Sequence, residues 1–131
     1  MAEPLRADLA GRTCLVTGAS AGIGLATAHG LARLGARVVM AVRNPEKGER
    51  ARRAVMGAAG CEVEMAVVDL ASRKSIRAFA RDLAGRHPKL DVLVNNAGIW
   101  SERRKVSPDG VELVWATNVL NYFLVTELLL P

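Results

Sequence analysis

The chain has 131 residues, half of them hydrophobic, only 4% aromatic, and a formal net charge of +5. This describes one globular domain that buries about two-thirds of its unfolded surface, and it excludes a disordered, collagenous or disulfide-built chain. The two cysteines, Cys14 and Cys61, have no His or Cys neighbour in sequence, so they read as free thiols in a reducing compartment and not as metal ligands.

Residues 1–11 read as an N-terminal extension without the apolar core of a signal peptide, which gives the expectation of a cytoplasmic protein. Residues 12–17, with Cys14-Leu15-Val16, predict a buried strand, and residues 22–34 predict a helix with Ile23, Ala26, Gly30, Leu31 and Leu34 recurring near a 3.6-residue period. Gly35 is placed to end that helix. The run 36–42 is continuous and β-branched, as a strand buried on both faces of a parallel sheet requires. Asn44-Pro45 reads as N-cap and first position of a basic helix reaching about Ala58. A third strand spans 62–68, and Ser72 caps a third helix with Ile76, Phe79, Ala80 and Leu83 on one face. His87-Pro88 falls in the following turn, where a histidine without acidic or thiol neighbours reads as a loop residue. Residues 91–94 predict a fourth strand, and an apolar helix is expected from about Pro108 to Leu130. Asn118, Asn121 and Glu127 interrupt it, so it is too polar for a membrane span.

Strand and helix alternate throughout, so the class is α/β with a parallel sheet. The basic residues Lys47, Arg50, Arg52 and Arg53 read as a solvated helix face. With so few aromatics and no nucleic-acid-binding motif, no nucleic-acid partner is expected.

The chemistry concentrates at the strand ends. Thr17-Gly18-Ala19-Ser20-Ala21-Gly22-Ile23-Gly24 joins a strand to a helix through a glycine-rich turn. Such a turn lets the backbone approach a pyrophosphate and offers it the unpaired N–H groups of a helix N-terminus; the plain alternative is a tight turn. Arg43 follows the second strand about 20 residues past the glycine loop, where an acid would bind the ribose 2′-hydroxyl of NAD. An arginine fork suits a 2′-phosphate instead, so the reading is NADP; an ordinary surface arginine is the alternative. Asp69, just past the third strand, is positioned either to accept from an adenine amino group or to cap the next turn. Asn95-Asn96-Ala97-Gly98 closes the fourth strand with amides and small residues where open α/β sheets bind ligands.

These motifs, in this order, resemble the short-chain dehydrogenase/reductase family. Asp109-Gly110-Val111-Glu112, Thr117-Asn118-Val119 and the stretch to Leu130-Pro131 extend the likeness, and Arg43 to Gly48 makes it similar to the retinol-dehydrogenase-like branch. The likeness runs from about Gly11 to Pro131. It implies a Rossmann-type doubly wound parallel sheet, first half, with strand order 3-2-1-4, in one NAD(P)-binding domain over 1–131 that stops before the fifth strand. It also implies site roles. Gly18, Ser20, Ala21, Gly22, Ile23 and Gly24 would line the phosphates, Arg43 would take the 2′-phosphate, and Asp69 and Leu70 would hold the adenine. Asn95, Ala97 and Gly98 would border the adenosine side, and Asn118 matches a catalytic asparagine that positions a lysine-bound water. Asn118 read without the family is a polar residue bending a buried helix.

Two departures stand out. Asn121-Tyr122 replace the glycine and histidine usual in the branch, and the larger Asn121 is expected to disturb helix packing. The family's strand-five serine and Tyr-x-x-x-Lys pair are missing: the one tyrosine, Tyr122, is followed four residues on by Thr126. The expectation is therefore the cofactor half of an NADP-dependent oxidoreductase acting on a carbonyl or alcohol, inactive as this chain alone. A non-catalytic NADP(H)-binding or oligomerisation module, pairing through the 108–130 helix, is the alternative. A methyltransferase-like fold is weaker, given Arg43 and the Asn95–Gly98 turn.

Overall fold

The computed structural model describes residues 7–130; residues 1–6 of the expected extension, and Pro131, lie outside the described residues. Strands β1 (Thr13–Thr17), β2 (Arg37–Val42), β3 (Val63–Val67) and β4 (Val92–Val94) alternate with helices α1 (Gly22–Arg33), α2 (Pro45–Ala59) and α3 (Arg73–Arg86). After β4 come α4 (Leu113–Trp115), a π-helical segment (Ala116–Leu120) and α5 (Asn121–Leu129). The strands form one parallel sheet in the order β3-β2-β1-β4, as expected. Leu15 lies opposite Val39 on one side and Leu93 on the other, which puts β1 at the centre.

Alternate residues of the central strands feed two cores. Cys14, Val16, Val38 and Met40 pack with Ala28 and Ala32 of α1 and Val55 of α2. Leu15, Val39 and Ala41 face the other way, onto Ile76, Phe79 and Leu83 of α3 and Val125 of α5. Full burial of a side chain such as Leu15 is worth about 1.5–3 kcal/mol, so both faces of β1 hold the sheet. β4 has β1 as its partner among the described residues, and its three residues are only half-buried.

Local chemistry explains most element boundaries. Asn44 accepts from the Lys47 N–H at 2.9 Å and Ser72 from the Ser75 N–H at 3.3 Å, so α2 and α3 start where their caps stand. Before α1, the Leu9 N–H donates to the Leu34 carbonyl at 2.8 Å, which ties residues 7–11 of the extension to the domain.

Three expectations are corrected. The residues that α1 buries are Gly24, Ala28 and Ala32; of the predicted face Ile23, Ala26, Gly30, Leu31 and Leu34, Leu31 packs partly buried on the core, whereas Ala26 and Gly30 are exposed and Ile23 is 80% exposed. Small residues let α1 lie close to the sheet, so its most apolar residues are not its most buried ones. Second, no single helix runs from Pro108. Gly110, at φ +78, turns the chain, Val106 bridges Glu112, and the helix begins only at Leu113. There Glu112 caps it, accepting from the Val114 and Trp115 N–H groups at 3.0 and 2.7 Å, which holds the Glu112 carboxyl below its usual range. Third, His87 lies in the predicted turn but is buried, with Nε2 2.8 Å from Glu64 of β3. Among the described residues, no helix is long and apolar enough to cross a membrane.

Candidate functional site

The carboxyl ends of β1 and β4 meet at Thr17, whose side chain is fully buried. Its hydroxyl donates to the Val94 carbonyl at 3.3 Å and accepts from the Asn96 and Ala97 N–H groups, both at 3.0 Å. Asn96 answers with its own side chain: Nδ2 donates to the carbonyls of Thr17, at 3.0 Å, and Gly18, at 3.4 Å. The glycine loop and the turn after β4 are therefore one hydrogen-bonded unit. The expected set for this turn, Asn95, Ala97 and Gly98, omits Asn96, whose partners lie 78 and 79 residues away in sequence.

Two glycines make that contact possible. A Cβ on Gly18 would stand 2.7 Å from Ala97 Cα, and one on Gly24 would overlap the Gly18 carbonyl oxygen and Asn96 Nδ2. Gly22 borders open space, and Ala21, Gly22 and Ile23 are exposed at the start of α1. The first hydrogen bond of α1 runs from the Leu25 N–H to the Ala21 carbonyl at 3.2 Å. No side chain caps the preceding N–H groups, and no acid sits in the first turn. By contrast α2, α3 and α4 are capped by Asn44, Ser72 and Glu112. The start of α1 is left as a ring of backbone donors at the positive end of a helix dipole, with Ser20 half-buried beside it.

The loop also touches β2, through the Ala19 N–H and the Ala41 carbonyl at 3.4 Å. Arg43 stands just beyond that strand end, exposed. Among the described residues, Arg52 and Arg53 are engaged by Glu49 at 2.8 and 2.9 Å, which pulls the Glu49 carboxyl down to about 2, whereas Arg43 and Lys47 form no ion pair.

At the end of β3, the Asp69 carboxylate accepts from the Ala71 N–H and its backbone N–H donates to Ser75 Oγ, each at 2.9 Å. Asp69 thus caps the β3–α3 turn with one oxygen, and Leu70 is buried behind it. Asp109 reaches across from the loop before α4 to accept from the Arg73 N–H at 2.8 Å.

The segment from α4 to α5 lies against the turns after β3 and β4. Asn118, in its π-helical part, grips the peptide of Ile99 from both sides: Oδ1 accepts from the Ile99 N–H at 2.9 Å and Nδ2 donates to the Ile99 carbonyl at 2.8 Å. Gly98 lies against Asn118. Asn95 Nδ2 donates to Thr126 Oγ1 at 3.1 Å. Burial pushes the Tyr122 phenol up. The expected disturbance at Asn121 is absent: the side chain is 1% exposed and Nδ2 donates to the Leu70 carbonyl at 2.7 Å. Burial, and then Asp91, raise the Cys14 thiol, which is free, as is Cys61. Among the described residues, no cluster of ligating side chains could hold a metal.

A four-stranded parallel sheet with a glycine loop after β1 and an asparagine-rich turn after β4 defines a dinucleotide-binding type of Rossmann fold. The family model for short chain dehydrogenase matches residues 12–131, and the chain belongs to that family. It is similar to human retinol dehydrogenase 14, at 43% identity over 92% of this chain and 40% of that protein. It is also similar to bovine dehydrogenase/reductase SDR family member 13, at 47% identity over 99% of this chain and 35% of that protein. A metagenomic short-chain oxidoreductase solved with NADP superposes with a TM-score of 0.80 at 38% identity, covering 92% of this chain and 55% of that one. L-sorbose reductase from Gluconobacter frateurii, solved with NADPH and L-sorbose, gives 0.83 at 28% identity, covering 95% of this chain and 48% of that one. The chain thus spans 35–40% of the length of these two curated relatives.

Proposed function

We propose that this chain binds NADP(H) as the cofactor part of an oxidoreductase that exchanges hydride with a small carbonyl or alcohol substrate. The observation that carries the reading is the uncapped start of α1, where α2, α3 and α4 each begin on a side-chain cap. Backbone donors, a positive helix end and no nearby acid fit a pyrophosphate. Gly18, Ser20, Ala21, Gly22, Ile23 and Gly24 would hold it. Arg43, exposed and without an ion pair, would take the 2′-phosphate by a charge-assisted fork. Asp69 and Leu70 would border the adenine, with Asn95, Ala97 and Gly98 on the opposite wall. Asn118 would fix the chain after β4 through Ile99, at the side where the nicotinamide would lie. When bound, the cofactor supplies or accepts the hydride.

Proton transfer to or from the substrate oxygen needs a tuned acid or base near neutral pH. Tyr122 does not serve in this reading: burial raises its phenol, away from neutral pH. The chain as it stands is therefore proposed to bind cofactor without turnover. A cytoplasmic, reducing location belongs to the same proposal, in keeping with the free thiols.

A second reading, an NADP(H)-binding module that assembles through its last helices, is favoured by one observation. Trp115, Val119 and Phe123, four residues apart, are 55%, 46% and 67% exposed. Calorimetry with NADPH, NADH and S-adenosylmethionine tests the cofactor assignment. NADPH should bind at least about tenfold more tightly than NADH, one charge-assisted contact being worth that much, and S-adenosylmethionine should not compete. Equal affinity for NADH would overturn the NADP assignment. Turnover with a panel of aldehydes and ketones would overturn the inactivity of the chain.

A further inference from the structure

Asn121 is buried in the packing between α5 and the sheet, yet it is half-satisfied. Its Nδ2 donates to the Leu70 carbonyl at 2.7 Å, across 51 residues of sequence. The orientation of the amide follows from chemistry, because a carbonyl can only accept. That leaves Oδ1 buried without a hydrogen-bond partner among the described residues. An apolar residue here would avoid the desolvation cost of that oxygen. What an apolar residue could not do is hold the Leu70 carbonyl.

Leu70 is the middle of the turn that follows β3. From within, the turn is held by Ala71 N–H to Asp69 Oδ1, Asp69 N–H to Ser75 Oγ and Ser72 N–H to Asp69 carbonyl, at 2.9, 2.9 and 3.1 Å. All three bonds are local, within seven residues of chain. They shape the turn from within. Its two ends are tied outward by the Val68 N–H to the Val42 carbonyl and the Arg73 N–H to Asp109, at 2.9 and 2.8 Å. Asn121 is the side chain that holds its middle, at Leu70, to the last helix. The same helical segment holds the turn after β4, through Asn118 on Ile99 and Thr126 on Asn95. Side chains projecting from one helical post therefore fix both walls of the cleft over the sheet.

We propose that Asn121 is a positioning residue that sets the adenosine side of the cofactor cleft through the Leu70 carbonyl. This rests on the NADP(H) reading above and assigns Asn121 to one half of the dinucleotide. Asn121 itself stays behind the turn. Asp69 and Leu70 present the surface, and Asn121 sets where that surface stands.

The test uses the full chain with two half-ligands, adenosine 2′,5′-bisphosphate and nicotinamide mononucleotide. In the wild-type protein, the side-chain amide resonances of Asn121 should shift on adding the bisphosphate and stay fixed with the mononucleotide. In Asn121→Leu, which keeps the branched shape without the amide, and Asn121→Ala, the dissociation constant for the bisphosphate should rise about five- to tenfold, the worth of one lost hydrogen bond. The constant for the mononucleotide should hold within about twofold. Amide exchange over residues 69–73 should quicken in both variants without any ligand. A merely structural asparagine would lower the melting temperature, leave the ratio of the two affinities unchanged and give no selective shift in the wild type. That outcome overturns the proposal, as does a fixed Asn121 resonance should neither variant fold. Failure of the wild type to bind the bisphosphate at all would instead bring down the cofactor reading, and this inference with it.

Discussion

Thr17 and Asn96 hold each other twice. The Thr17 hydroxyl accepts from the Asn96 N–H at 3.0 Å, and Asn96 Nδ2 donates to the Thr17 carbonyl at 3.0 Å. The pair locks the end of β1 to the chain leaving β4, and the glycine loop is suspended from that lock. Thr17→Val keeps the shape and deletes the hydroxyl, which strands the Asn96 and Ala97 N–H groups. Each stranded donor costs about 1–3 kcal/mol, so Thr17→Val should unfold at markedly lower denaturant, whereas Thr17→Ser should stay near wild type. Urea titration of the three proteins decides it; equal midpoints for Val and Ser would dismiss the lock.

Gly24 and Gly30 lie on the same helix and should respond oppositely to alanine. A Cβ on Gly24 would overlap Gly18 and Asn96, so Gly24→Ala should cost about 1–3 kcal/mol by forcing the loop outward. Gly30 has nothing within 4 Å of its would-be Cβ. Gly30→Ala should therefore gain about 0.5–1 kcal/mol from helix propensity. Thermal melts of the two variants would show the opposite signs; a loss in both would mean that α1 tolerates no side chain on either face.

How much of this was legible beforehand differs between elements, for physical reasons. The strands and the caps at Asn44 and Ser72 followed from signals held within a few residues of sequence, apolar runs and an oxygen placed before a helix, whereas the strand order came from the family resemblance. The buried face of α1 did not, because close approach selects Gly24, Ala28 and Ala32 for smallness, and hydrophobic periodicity reads size as burial. The start of the last helical segment was missed because a turn at Gly110 and the Glu112 cap displace it from Pro108. At the site, the glycine loop and the turn after β4 were both recognisable, and Asn96 and Asn121 were noticed, but what each of them holds was not. Their partners lie 78 and 79, and 51, residues away, and no local pattern announces such a contact.

Asp91 makes the fold sensitive to acid at the start of β4. It accepts from the Thr13 N–H at 2.9 Å and pairs with Lys89 and Arg12, both at 3.0 Å, and these contacts hold its carboxyl well below the usual carboxylate range. A depressed carboxylate stabilises the fold fully above its unfolded value and loses that stabilisation as pH falls toward the folded one. Asp91→Asn should therefore be less stable than wild type at neutral pH, and the gap should close as pH drops below about 4. Melting temperatures from pH 7 downward measure it; a gap constant with pH would mean that Asp91 acts through its shape and not its charge.

The exposed side chains of Trp115, Val119 and Phe123 should bring two copies together. Sedimentation of the wild type should show a dimer that Phe123→Glu converts to monomer, with the melting transition little changed because Phe123 is 67% exposed. A wild-type monomer at high protein concentration would rule the dimer out.

Placing β1 between β2 and β4 also sets a timetable. As the chain emerges during synthesis, β1, β2 and β3 can pair through short crossovers, each closed by one helix. The other flank of β1 must wait for Val92–Val94, 78 positions after its register partners. Closing so distant a pairing is slow relative to local helix and neighbouring-strand formation. During that interval the central strand is an edge, with Leu15 and Val16 lacking the neighbours that later cover them. The growing chain thus passes through a stage in which its most buried strand is its most vulnerable, and the rate of elongation through residues 60–94 becomes a variable in how cleanly it folds.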